Sequence, residues 1–187
     1  LMDKLLITSA LEKTWIKEKK FKRIFLTEAC LNYSERNKWK EFDKKVLKYH
    51  WNNRKKLQND FNYLNLVYEE ALLKITTELN SYHGTSDSAD YWRIILGPWL
   101  IIYIHSLFDK WEMLRKAFDY GEKYFTVLET ENINTSKDYN AFMDSIDSDS
   151  WNYSIYCRII KSIYSLNVEM IEIPTHPLVI INNNFSI

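Results

Sequence analysis

Four groups of polar residues in this chain have types and spacings suited to chemistry. Thr8, Ser9 and Glu12 follow a first apolar run, and Glu28 follows a second. In a parallel sheet, ligands bind outside the carboxyl ends of the strands. Hydroxyls there can hold a ligand, and a carboxylate there can take a proton. His50 and Arg54 lie four apart in Tyr49-His-Trp-Asn-Asn-Arg54. On a helical turn they share a face, where a planar guanidinium and a titratable donor can hold an anion. His83-Gly84 is followed by Tyr91-Trp92-Arg93. Arg93 opens an apolar helix, so it must pair with an acid or bind an anionic ligand. Asp109 stands among Leu107, Phe108 and Trp111, four residues after His105. A buried carboxylate needs a partner, and His105 or Arg93 is the expected one. Each feature also has a plainer reading: His50 as a helix-entry group, Arg93 in a structural ion pair, Glu28 as a cap or a solvated side chain.

The elements that position these residues follow from hydrophobic periodicity. Lys4 to Ala10 and Arg23 to Glu28 read as buried strands. The basic run Lys17 to Arg23 between them reads as a solvated connection. Leu57, Phe61, Leu64, Tyr68, Leu72, Ile75, Leu79 and Tyr82 recur every three or four residues, one face of a long helix. Gly84 is its expected stop. Asp87 or Ser88 caps a second helix, apolar nearly all round from Tyr91 to Phe118 and therefore expected to be buried. Pro98 predicts a kink in it, and Gly121 its end. Lys123 to Leu128 is a third strand, Asn132 to Asp138 a loop, and Tyr139 to Ile146 a short helix. Ser150 is expected to cap a further helix, and Val168 to Ile173 makes a fourth strand. The alternation predicts an α/β fold: a small parallel sheet of about four strands with long, partly buried crossover helices. Residues 1–173 form one domain on this reading, and residues 174–187 an irregular Asn-rich tail.

Composition narrows the function classes. At 187 residues with 46% hydrophobic content, the chain is long and apolar enough for a core of its own. Twenty-five basic residues balance 25 acidic ones, which argues against a nucleic-acid partner. The aromatic-studded basic stretch Lys38 to Lys56 is the one segment that resembles a stacking platform, and Glu41 and Asp43 dilute it. Only three glycines are present, so there is no glycine-rich phosphate loop. Cys30 and Cys157 have no metal spacing and read as buried free thiols, so no metal and no cofactor is expected. The longest apolar stretch, Ile94 to Phe108, is shorter than the ~20 residues a membrane span needs, and His105 interrupts it. With no recognisable signal peptide, the expected location is the cytoplasm, with the inner face of the membrane as an alternative.

Several tryptophan-containing strings occur in fixed order: Leu6-Ile-Thr-Ser-Ala-Leu-Glu-Lys-Thr-Trp15, Phe25-Leu-Thr-Glu28, Tyr49-His-Trp-Asn-Asn-Arg54, Tyr91-Trp-Arg-Ile-Ile-Leu-Gly-Pro-Trp99 and Leu107-Phe-Asp-Lys-Trp111. Together they resemble a family of transferases encoded in bacterial O-antigen and surface-polysaccharide clusters. The likeness runs from Leu5 to Leu114 and more weakly to Ile173. The family looks like two-domain glycosyltransferases of the GT-B type, and its members are longer than this chain. The resemblance implies a Rossmann-like, acceptor-side half, with the nucleotide sugar held by a C-terminal domain. The expected partner is a glycan or lipid-linked acceptor. A general base would come from Glu28, His50 or His83, and substrate contacts from Thr8, Ser9, Trp15, Arg54, Trp92, Arg93 and Asp109. A truncated, non-catalytic binding or interaction module is the alternative.

Overall fold

A computed structural model of the chain describes residues 3–17, 20–128 and 136–171. Five strands form one parallel sheet: β1 (Asp3–Ile7), β2 (Phe21–Phe25), β3 (Lys44–Val46), β4 (Tyr124–Val127) and β5 (Val168–Ile171). Their order is β3-β2-β1-β4-β5. The chain winds outward from β1 in one direction through β2 and β3, then returns to β4 on its other side. This is the doubly wound α/β arrangement, and its switch point lies at the carboxyl end of β1. The register sets Leu5 beside Arg23 and Phe125, and Ile7 beside Phe25. Leu5, Leu6, Ile7, Phe25 and Leu26 are fully enclosed, as continuous apolar runs in a two-sided sheet require.

The strands are connected in four different ways. Between β1 and β2 the described residues form a single 3-10 turn, with Trp15 inserted in the core. Short turns and the four-residue α1 (Arg36–Trp39) link β2 to β3. A helical hairpin of α2 (Arg54–His83) and α3 (Ala89–Ala117) links β3 to β4. Finally α4 (Tyr139–Ile146) and α5 (Asp149–Ile163) lead back to β5. Asn53 caps α2 through Oδ1, and Ser88 caps α3. Gly84 closes α2 with φ of +67°, the left-handed conformation a helix C-cap favours. Gly97 is required for a different reason: a Cβ there would stand 2.7 Å from the Tyr68 hydroxyl, so glycine lets the two helices approach.

The structure corrects several expectations. There is a fifth strand, β3, which the sequence hides. The long helix α3 is not buried throughout: Ile94 is 80% exposed, and Tyr91 and Ile95 are exposed too. The cause is length. Twenty-nine residues span roughly 43 Å, whereas strands of five residues cover only about 17 Å. The first half of α3 therefore outruns the sheet and packs mainly on α2, through Trp92 and Leu100 against Leu72. The second half carries Met113, Leu114 and Ala117 into the main core. By length and composition alone α3 qualifies to cross a membrane. Its buried Lys110 and Glu112, however, are held by polar contacts within this fold. The helix passes through Pro98 and ends at Ala117, before Gly121, which sits in a separate 3-10 turn. Ser148, not Ser150, caps α5. Arg23 is not solvated but buried, with Ile16 and Phe21 carbonyls accepting from its guanidinium and the Phe42 ring beneath it. Most of the loop expected at Asn132 to Asp138 and the tail from residue 174 lie outside the described residues.

Candidate functional site

A cleft of about 590 Å³ opens at the carboxyl ends of β1, β2 and β3. Thr8, Ser9 and Ala10 supply one wall directly after β1, and Thr27 to Cys30 supply the next after β2. Leu47, Lys48, Tyr49 and Asn52 follow β3. The opposite side is closed by Asp109 and Lys110 of α3 and by Asp149, Asn152 and Tyr156 of α5. The position is the one the strand-end rule predicts for a ligand in a doubly wound sheet.

The local sequence fixes this wall firmly. Trp15 is core, and its indole N–H donates to the Ser9 carbonyl at 3.1 Å, pinning the turn after β1. Ser9 Oγ accepts from the Leu11 amide at 3.0 Å. Trp15 therefore positions the site without lining it. Thr8 is buried in the wall. Glu28 opens the turn after β2; it is exposed in the cleft, and no side-chain hydrogen bond or ion pair engages it among the described residues.

Asp109 is held from behind. His50, buried in a 3-10 turn, donates from Nε2 to Asp109 Oδ1 at 2.9 Å. The Tyr49 phenol lines the cleft beside Asp109. Burial, followed by the neighbouring Asp109 charge, pushes that phenol well above its ordinary range. Thus Asp109 has His50 as its hydrogen-bond partner, not His105 or Arg93. The imidazole of His105 lies in an adjoining shallow groove beside Ile101 and Ile102, which Tyr49 and Asp109 also line, and burial lowers its pKa.

Behind His50 lies a compact charge network. Lys56 bridges Asp60 and Glu112, the latter at 2.8 Å. Arg115 grips both oxygens of Glu112 at 2.6 and 3.0 Å, and the Trp51 indole donates to Asp60 at 2.9 Å. Burial alone would raise the Glu112 carboxyl, but hydrogen bonds from Arg115 and Lys56 outweigh it and hold it at about 2. His50, Asp60 and Glu112 each bring a ligand atom within 4.8 Å of the others, a donor set suited to a divalent cation. The ammonium of Lys56 already supplies positive charge there, so the network reads as the support of His50.

The other expected site residues are not brought to the cleft. Arg54 is exposed at the first turn of α2, and the extended Asn53 separates it from the His50 turn, so the two share no helical face. Arg93 forms a two-pronged pair with Glu69 at 2.7 and 2.8 Å. His83 stacks on Trp92, whose indole donates to Asn80. Those three residues sit where α2 turns into α3, roughly 24 Å along the hairpin from Asp109. The basic aromatic stretch also dissolves into structure: Lys38 pairs with Glu12 and Glu35, and Trp39 is core.

Two cleft residues escaped sequence reasoning. Lys110 is buried, with Nζ donating to Ser106 Oγ at 2.8 Å and lying 5.3 Å from the Trp151 ring centre. Tyr156 is buried beside it. A periodicity signal existed for the lysine: position 110 precedes Met113, Leu114 and Ala117 by three, four and seven residues, on the buried stripe of α3.

A family model described as LIC12162 family transferase matches residues 4–184. No curated protein matches the chain, and no solved structure does.

Proposed function

The chain belongs to the LIC12162 family of transferases, and from that premise we propose that it transfers a glycosyl group during assembly of a bacterial surface polysaccharide. On this reading the described fold is the acceptor-side half of a GT-B-type enzyme, working at the cytoplasmic side of the membrane. A nucleotide sugar is the donor, held by a second domain. The acceptor, a glycan or lipid-linked sugar, occupies the cleft at the ends of β1 to β3.

One observation carries the reading: the cleft holds an unengaged carboxylate, Glu28, together with a carboxylate fixed from behind by His50, Asp109. Glycosyl transfer needs both roles. An acceptor hydroxyl must lose its proton as its oxygen attacks the anomeric carbon and the bond to the departing nucleotide phosphate breaks. Glu28 takes that proton, because its lone pairs are not committed to other donors. Asp109, oriented by His50, accepts a hydrogen bond from a neighbouring acceptor hydroxyl and sets the attacking oxygen in place. Of the three bases expected from sequence, this reading takes Glu28, which lines the cleft. His50 acts through Asp109, and His83 lies remote from the cleft.

The test is a transfer assay with nucleotide sugars and acceptor glycans. Glu28→Gln should lower kcat by about 10²-fold or more. Asp109→Asn should act chiefly on KM for the acceptor. Transfer that proceeds unchanged in Glu28→Gln would remove Glu28 from the chemistry. A folded chain that binds acceptor glycans and never transfers, even with the donor-binding domain supplied, would favour a binding module.

A further inference from the structure

The cleft contains three buried donors whose capacity the fold leaves unused. Lys110 is 6% exposed and makes no ion pair among the described residues; Ser106 takes one of its three protons. Tyr156 is 7% exposed and Thr8 3%, and neither hydroxyl has a hydrogen-bond partner among the described residues. All three line the same cleft, from the end of β1, from α3 and from α5, and the Lys110 ammonium stands 6.0 Å from the Tyr156 ring centre.

A buried cation without a counter-charge is costly unless something supplies the missing charge. The aromatic rings of Trp151 and Tyr156 offset part of that cost through their electron-rich faces. Asp109, the next residue, is engaged by His50. Burial lowers the Lys110 pKa, and the Asp109 charge opposes that shift. A phosphate fits the remaining need: its charge pairs with the ammonium, and its other oxygens accept from neutral hydroxyls.

We propose that Lys110, Tyr156 and Thr8 form a phosphate subsite of the cleft. It takes the phosphate of a phosphorylated substrate. The chemistry is common to an isoprenyl-linked sugar phosphate and to the diphosphate of a nucleotide sugar. Its place in the reaction rests on the transferase reading above; its existence as an anion site does not. Lys48 also lines the cleft and adds positive charge, while Glu28 and Asp149 confine the favourable position to the Lys110 side.

The experiment titrates the full chain with inorganic pyrophosphate, with a nucleoside diphosphate and with a short-chain isoprenyl phosphate. Binding is followed by tryptophan fluorescence and by calorimetry, since Trp151 lies against Lys110. The expected result is saturable binding that Lys110→Met weakens at least tenfold and Tyr156→Phe several-fold. Lys110→Met should keep or raise Tm, because it removes an uncompensated buried charge. Tighter isoprenyl phosphate binding assigns the subsite to the acceptor, and tighter nucleoside diphosphate binding assigns it to the donor. If neither variant changes affinity, or the wild-type chain binds none of the three, the subsite is overturned. Phosphate binding through Lys110, with no glycosyl transfer even when the donor-binding domain is supplied, would overturn the transferase reading and leave the subsite standing. Transfer with wild-type affinity and rate in Lys110→Met would do the reverse.

Discussion

At the scale of single residues, the site is built from groups in two contrasting conditions. Asp109 and Glu112 are tied down by named donors, while Glu28, Thr8 and Tyr156 keep free capacity towards the cleft. Tied groups make a rigid wall, and free ones are available to a ligand. Glu112 shows how strong the tying is. Its carboxyl is held at about 2, against 4.5 for an ordinary one. A depressed carboxyl contributes stability that is fully present above the unfolded value and is lost as pH falls through the folded one. Stability should therefore decline between about pH 5 and pH 2, with Glu112 contributing on the order of 3 kcal/mol at most. Urea melts across that range should show a flatter pH slope in Glu112→Gln than in the wild-type chain. Equal slopes would mean that Arg115 and Lys56 do not discriminate the charged form. Sequence alone pointed to Asp109 and Glu28, because strand ends and buried acids are visible there. It could not pair them. His50 and Asp109 are 59 positions apart, and only the docking of the β3–α2 connection against α3 brings them together.

At the scale of elements, the hairpin of α2 and α3 does two jobs at its two ends. Its base delivers Asp109 and Lys110 to the cleft, and its turn is fastened by Asn80. The Asn80 side chain accepts from the Trp92 indole at 2.9 Å and from the Asp87 amide, and donates to the Asp87 carbonyl. Asn80→Ala removes all of these and leaves partly buried groups without partners. It should cost about 2 kcal/mol and speed amide exchange in the first turns of α3. The rate of the proposed transfer should change little, because the turn lies far from the cleft. A large loss of activity with unchanged stability would instead give the turn a direct role. The long helices α2 and α3 were readable from their apolar positions, with the stop at Gly84 and the cap at Ser88, whereas the short α1 and the cap of α5 were not. The edge strand β3 was not: Lys44-Lys45-Val46 is three residues with one apolar side chain, and its pairing with Arg23 to Phe25 makes it a strand. The exposure of Ile94 was also hidden, since composition says a helix is apolar but not how far it outruns the sheet that covers it.

At the scale of the whole molecule, strand order decides where function resides. The order β3-β2-β1-β4-β5 gathers the ends of three strands under α3 and α5, and the cleft with its free carboxylate lies there. The α/β class followed from alternating strand and helix patterns. The two helices between β3 and β4 followed as well, from the stop at Gly84 and the cap at Ser88; the structure adds that they pack on each other. The same topology separates two clusters that looked equivalent in sequence, Tyr49 to Arg54 and His83 to Arg93. One closes the cleft from behind through His50; the other stabilises the remote turn. Ligand mapping distinguishes them directly. Backbone amide shifts of the isotopically labelled chain, recorded with acceptor glycans and sugar phosphates, should cluster at Thr8, Ser9, Glu28, Tyr49 and Lys110. Shifts centred on His83, Trp92 and Arg93, with the strand ends silent, would contradict the assignment of the cleft as the acceptor site.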